Sequence, residues 1–163
     1  VIVGSVTALV ARIGVPNTND LQLEPGSIAE GLVLLSAIDH KANDNGPVAG
    51  IGWITVRGEE VHFAGRFDFA LPVGSLGYAI VKHEAAEMQW SLAVNIEEEE
   101  DRILDDRTIR IVKRCRPVEV SPVLRGACRD TYTISLDGVA VPSRSALAVE
   151  SAVTTHGGKI NGE

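Results

Sequence analysis

The stretch "RTIRIVKRCRPVEVSPV", residues 107–123, constrains the fold more than any other part of the chain. Charged and apolar residues alternate along it, and a period of two belongs to a β-strand with one wet face and one buried face. A strand of that length needs partners for its backbone N–H and C=O groups and a core beneath its apolar side. The chain is therefore committed to a sheet. Other strand-like runs supply the partners: "SVTALVARIG", "LVLLSAI", two β-type runs around "RGEE" in "IGWITVRGEEVHFAGRFD", "WSLAVNI" and "TYTISL". The short continuous run "LVLLSAI" has the length of a buried strand, and "RGEE" reads as a hairpin turn.

The period changes once. In "LPVGSLGYAIVKHEAAEMQ", Tyr78, Val81, Ala85 and Met88 recur at near-helical spacing with Lys82, Glu84 and Glu87 between them, and Ser75 is placed to cap that helix. "VPNTNDLQLEPG" and "DHKANDNGPVAG" are rich in turn residues. "EEEEDRILDD" reads as a solvated loop or a short helical turn. Six or seven strands with one or two helices favour a mostly-β (α+β) barrel carrying flanking helices over regular strand–helix alternation. The expected domain is 1–137. Residues 138–163, small and polar with no core pattern, read as a C-terminal tail that is flexible or only partly ordered.

With 163 residues and 45% apolar content, such a domain can bury a core without staples. The net charge of −7 argues against non-specific binding to nucleic acid or an anionic membrane. No apolar run approaches the ~20 residues of a membrane-spanning helix. No signal peptide is legible, and the chain begins at Val1 without an initiator Met, as trimming would leave it. Cys115 and Cys128 lack ligand-type spacing and read as small buried hydrophobes. His40, His62, His83 and His156 are scattered and do not cluster with the cysteines, so no structural zinc site is expected.

There is no phosphate loop, no HExxH and no GxSxG elbow. Isolated polar residues remain at the edges of apolar runs: His40 after "VLLSAID", Ser91 opening "SLAVNI", and Glu119 within "RPVEVSPV". By spacing alone, Ser91 is a strand serine bonded to a neighbouring backbone, His40 a turn residue and Glu119 an acid on a wet face. His62 and His83 read as strand and helix-surface residues.

The order of these residues adds to that reading. "NTNDLQLEPGSI…VLLSAIDHKANDNGPVAGIGWITVRGEEVHFAGRFD" resembles the front half of the tailed-phage prohead maturation proteases. "RIVKRCRPVEVSPVLRGACRDTYTISL" resembles their "R…E-V-S-x-V…A…T" block. The resemblance runs from about residue 6 to 136. That family looks related to herpesvirus assemblin, so it implies a closed β-barrel of six or seven strands with flanking helices and a serine nucleophile. By position, Ser91 becomes the nucleophile, His40 the general base and Glu119 the residue that orients the imidazole. A serine hydroxyl needs an adjacent base, and a carboxylate on the second ring nitrogen fixes the tautomer.

Two positions depart from the family pattern. Its nucleophile segment usually reads Ser–small aliphatic–Gly–aromatic, and here it is "SLAV", with Ala93 and Val94 in the last two places. Asp39, before His40, competes with Glu119 as the orienting acid; Glu119 is preferred because adjacent strand residues point to opposite faces. Arg125 is either an oxyanion contributor or a surface arginine, and Ser121, sharing Glu119's face, is the rival nucleophile.

The resemblance further implies scaffold and capsid proteins as substrates, location inside a viral procapsid in an infected bacterium, self-association as a homo-oligomer, and no cofactor. Some such proteases cut after glutamate, and "LAVE|SAV" around Glu150 offers a self-processing site in the tail. The alternative is an inactive barrel that serves as a scaffold or capsid-assembly protein.

Overall fold

The computed structural model describes residues 4–40, 42, 46–128 and 130–142. They form nine strands and one helix in one mixed sheet. The strands are β1 (Ser5–Arg12), β2 (Leu21–Leu23), β3 (Gly31–Leu35), β4 (Gly50–Arg57), β5 (Glu60–Phe67), β6 (Gln89–Leu104), β7 (Arg107–Val123), β8 (Tyr132–Leu136) and β9 (Val139–Ala140), and the helix α1 spans Pro72–Glu84. The sheet runs β2-β7-β3-β4-β5-β1-β8-β9, with β6 on the opposite edge of β7. One edge of the long strand β7 serves two short parallel partners in succession, β2 at Arg110–Val112 and β3 at Glu119–Val120.

The closed barrel with flanking helices is not what forms. The sheet is open, and one helix packs on it among the described residues. Next to the start of β8, Trp90 of β6 is met by a side chain and not by a ladder. Its N–H donates to Thr131 Oγ1 (2.9 Å), and the same hydroxyl donates to Trp90 C=O (2.8 Å). A side chain thus takes the two backbone groups that a closing ladder would use, and β6 pairs with β7 alone.

The run "EEEEDRILDD" is not a solvated loop or a helical turn. It is the distal half of β6, paired to β7 as far as Leu104↔Arg107. Acids in a row extend here because β7 presents cations to them: Glu97 meets Arg116 (2.6 Å) and Arg114 (3.1 Å), Glu98 meets Arg114 (3.4 Å), and Glu99 meets Arg110 (3.5 Å). Asp105 and Asp106 turn the hairpin with φ of 49° and 60°, a left-handed conformation that Asp tolerates.

Smaller differences have local causes. "LVLLSAI" is half-buried: Val33 and Leu35 enter the core, whereas Leu32 is 63% exposed opposite Trp53 on β4. Three residues of the first turn cluster form β2. Ser75 lies inside α1, which starts at Pro72 behind an uncapped Leu71. Proline at the first helical turn needs no donor there. Gly74, Gly77 and Val81 are the helix's buried positions. Cys115 is buried on β7, whereas Cys128 is half-buried in the loop before β8. The expected tail lies outside the described residues beyond Pro142, and its first residues include β9, which pairs with β8.

The core gathers Val6, Val10, Leu35, Ile54, Phe63, Phe67, Trp90, Val112 and Val120 on one side of the sheet. Because side chains alternate, the residues between these positions on β6 and β7 face outward.

Candidate functional site

Trp90 is in the core and Leu92 packs against it, so Ser91 and Ala93 face the other way. On β7 Val120 is in the core, which turns Glu119 and Ser121 to that same outer face. The register sets them in two rungs, Ser91↔Ser121 and Ala93↔Glu119. From the far edge, β3 brings Leu34 alongside Glu119 and then leads into the loop that carries His40.

That loop is tied down by backbone. Ser36 N–H donates to Val120 C=O (2.9 Å), Asp39 N–H to Pro122 C=O (3.2 Å), and His40 N–H to Ser121 Oγ (3.0 Å). Ala42 N–H donates to Ser36 Oγ (2.7 Å), which closes the turn from inside. Asp39 and His40 have φ of 49° and 55°. Two consecutive left-handed residues without glycine cost roughly 1–2 kcal/mol each, and strain of this kind persists only where neighbours over-determine it.

The conformation sets the imidazole over β7, where His40 Nδ1 lies 3.2 Å from Glu119 Oε1. Glu119 is fully buried and its Oε2 has no partner among the described residues. A buried carboxylate with one hydrogen bond is held at a cost unless a positive charge forms beside it. With Glu119 accepting from Nδ1–H, Nε2 is the nitrogen left to accept a proton. His40 Nε2 and Ser91 Oγ carry no hydrogen bond among the described residues. The imidazole and the serine therefore share one face and neighbouring rungs without being joined.

Of the alternatives, Asp39 is exposed and leaves the orienting contact to Glu119. Ser121 is fully buried and donates its hydroxyl proton to Pro122 C=O (3.0 Å) rather than to an imidazole. Arg125 is exposed just past β7, beside Gly126, whose N–H donates to Gln89 Oε1 (2.6 Å). His62 bonds Glu60 (3.0 Å) on β5, and His83 bonds Glu84 (2.6 Å) on the exposed end of α1. His156 and Glu150 lie outside the described residues. No cluster able to hold a metal occurs among the described residues.

Sequence reasoning missed the open edge of β6. Val120 C=O bonds Ser36, so Val120 turns its backbone groups toward β3 and the Leu92↔Val120 rung carries no ladder bonds. Leu92 N–H and C=O therefore point off the edge, immediately after Ser91, and find no partner among the described residues. A narrow cleft of about 50 Å³ runs along this edge, lined by Leu92, Val94, Val10, Leu23 and Ser91. It adjoins a wider cavity of about 280 Å³ lined by Arg12, Asn17, Arg107 and Cys128. Pro122, opposite Trp90, was the available signal: a proline in a long strand marks a rung without ladder bonds.

No helix of the described residues is long and apolar enough to cross a membrane. No family model, no curated protein and no solved structure matches this chain.

Proposed function

We propose that this chain is a serine endopeptidase that cuts scaffold and capsid proteins during procapsid maturation. The observation that carries the hydrolase part is the contact of His40 Nδ1 with the fully buried Glu119 on the same sheet face as Ser91. The viral part is supported by the resemblance of the "DHK", "WSL" and "VEVSP" segments, in that order, to the prohead proteases.

In this reading His40 Nε2 takes the proton of Ser91 Oγ as the oxygen attacks a peptide carbonyl, and Glu119 balances the imidazolium that forms. Leu92 N–H, the first free amide after the nucleophile, donates to the oxyanion. The intermediate collapses as the imidazolium protonates the leaving amine, and water, deprotonated by the same ring, releases the acyl group. A substrate approaches Ser91 from the outer face of the sheet, to which the β6–β7 register turns its side chain. The same outer face continues through Leu34, Leu32, Ile51 and Trp53, an apolar strip suited to a protein substrate.

The absence of a Ser91–His40 hydrogen bond favours a second reading, an inactive copy that assembles capsids. Catalytic hydrogen bonds commonly tighten only on substrate binding. The test is incubation of the purified chain, Ser91→Ala and His40→Ala with candidate procapsid proteins, together with fluorophosphonate labelling read by mass spectrometry. Label on Ser91 that is lost in His40→Ala, with cleavage lost in both variants, is expected. Cleavage unchanged in both overturns the catalytic assignment, and neither cleavage nor label leaves the assembly reading.

A further inference from the structure

We infer that Ser121 is a positioning residue for His40, fixing the histidine backbone while Glu119 fixes its ring. The inference rests on the hydrolase reading for its kinetic consequence, but its geometry stands on the structure alone.

One side chain grips each end of the residue. Glu119 Oε1 takes Nδ1, and Ser121 Oγ accepts the backbone N–H at 3.0 Å. Both arise from one strand, two residues apart on one face, so the two grips cannot move relative to one another without bending β7. Ser121 Oγ is itself held, because its proton goes to Pro122 C=O at 3.0 Å. That carbonyl also accepts from Asp39 N–H at 3.2 Å. The hydroxyl thus completes a closed set of bonds around two left-handed residues, Asp39 and His40, whose backbone would otherwise relax.

The register gives the device its purpose. Ser121 is the direct cross-strand partner of Ser91. His40 is therefore referenced to the nucleophile through a single rung, and the "E-V-S" of β7 encodes the orienting acid and the anchor together. This assigns Ser121 a role different from that of a rival nucleophile, for which its buried, committed hydroxyl is unsuited. An ordinary buried serine would affect only stability. An anchor also affects where the imidazole sits.

The experiment compares native protein with Ser121→Ala and Ser121→Thr, reading two signals. The first is the rate of Ser91 labelling by a fluorophosphonate and the kcat and KM of peptide hydrolysis. The second is the imidazole NMR spectrum of ¹⁵N-histidine-labelled protein, assigned with His40→Gln, which reports the Nδ1–H bonded to Glu119 whether or not the chain is an enzyme. Ser121→Ala is expected to lower kcat and labelling about 10- to 100-fold with KM little changed, as displaced catalytic groups do. It should also broaden or shift the His40 Nδ1–H signal, and Ser121→Thr, which keeps the hydroxyl, should restore both. If native protein takes no label, the hydrolase reading fails, and a His40 signal lost in Ser121→Ala and kept in Ser121→Thr still supports the anchor. A folded Ser121→Ala with native His40 signal and native labelling overturns it. Should Ser121→Ala not fold, Ser121→Cys, with a weak acceptor in the same place, is read against the same two outcomes.

Discussion

Ala93 stands directly across the β6–β7 ladder from Glu119, so the residue where the resembling proteases carry glycine faces the carboxylate that holds His40. A small side chain is what that rung requires, since the imidazole has to come down over Glu119. A larger group at Ala93 would occupy the approach. The register shift immediately after Ala93 lets β6 bend away and leaves the Ser91 and Ala93 rungs regular. Glycine is therefore not needed there for backbone freedom. Ala93→Gly is expected to change hydrolysis by less than about threefold, whereas Ala93→Leu should abolish it with the fold retained; an active Ala93→Leu enzyme would show that the imidazole approaches from elsewhere.

Glu119 can be tested by charge and by shape. Glu119→Gln keeps an oxygen for Nδ1–H and removes the negative charge, and turnover should fall by about 10²- to 10⁴-fold, the range typical of a lost orienting carboxylate. Thermal unfolding should be unchanged or rise, because a buried amide costs less than a buried, singly bonded carboxylate. Full activity in Glu119→Gln would mean that the charge serves no step.

Much of this arrangement could be read in the sequence, and the parts that could not share a cause. The alternation of residues 107–123 marks β7, and with it the common face of Glu119 and Ser121, because a period of two is local information. The tie between His40 and Glu119 joins residues far apart in the chain, and only the family resemblance suggested it. The acidic run 97–101 looked like a loop because its cationic partners lie on another strand: Arg114 and Arg116 become its neighbours only once the hairpin closes. The open seam was invisible for a similar reason, since Thr131 takes over Trp90's backbone groups from outside any strand.

That seam yields a stability prediction. Thr131→Val preserves shape and removes the hydroxyl that serves Trp90 N–H and C=O, leaving two buried backbone groups unsatisfied. Denaturant unfolding should show a loss of about 1–3 kcal/mol, the usual cost of an orphaned buried polar group. Thr133→Val, which affects only Trp90 Nε1 (3.0 Å), should cost less. Equal stability in Thr131→Val would show that water replaces the hydroxyl.

The packing of α1 against the His40 loop gives another. A β-carbon on Gly77 would lie 2.8 Å from Phe67 Cε1 and 2.9 Å from Ala37 Cα. The second contact is backbone, three residues before His40, so it can be relieved only by shifting the loop. Gly77→Ala should cost about 1–3 kcal/mol by overpacking and lower hydrolysis beyond what the stability loss explains. Gly31→Ala, where nothing lies within 4 Å, is the control expected to be silent in activity.

Burial gives an alkaline limb to stability. It pushes the Cys115 thiol up to about 11, with Glu97 adding to the effect. The folded state binds that proton more tightly than the unfolded chain, so the contribution is fully present below the ordinary thiol value and is lost as pH rises toward 11. Wild type should lose more stability than Cys115→Val between about pH 8.5, the unperturbed thiol value, and the upper end of that range. Folded protein at pH 8 should also resist alkylation at Cys115. Parallel alkaline curves for the two proteins would contradict the assignment.

The oxyanion donor can be tested without touching Ser91. Leu92 N–H points off the β6 edge and makes no ladder bond, so a proline there removes the donor without costing the sheet a hydrogen bond. Ser91, which precedes it, is already extended, as a residue before proline prefers. Leu92→Pro should therefore fold, with the circular dichroism of the wild type, while kcat falls by about 10²- to 10³-fold, the effect of losing one oxyanion donor. Leu92→Val, which keeps the N–H and trims the side chain, should remain within a few fold of wild type. Full turnover in Leu92→Pro would assign the oxyanion to another group, and Arg125, exposed beside the end of β7, would be the next residue to replace.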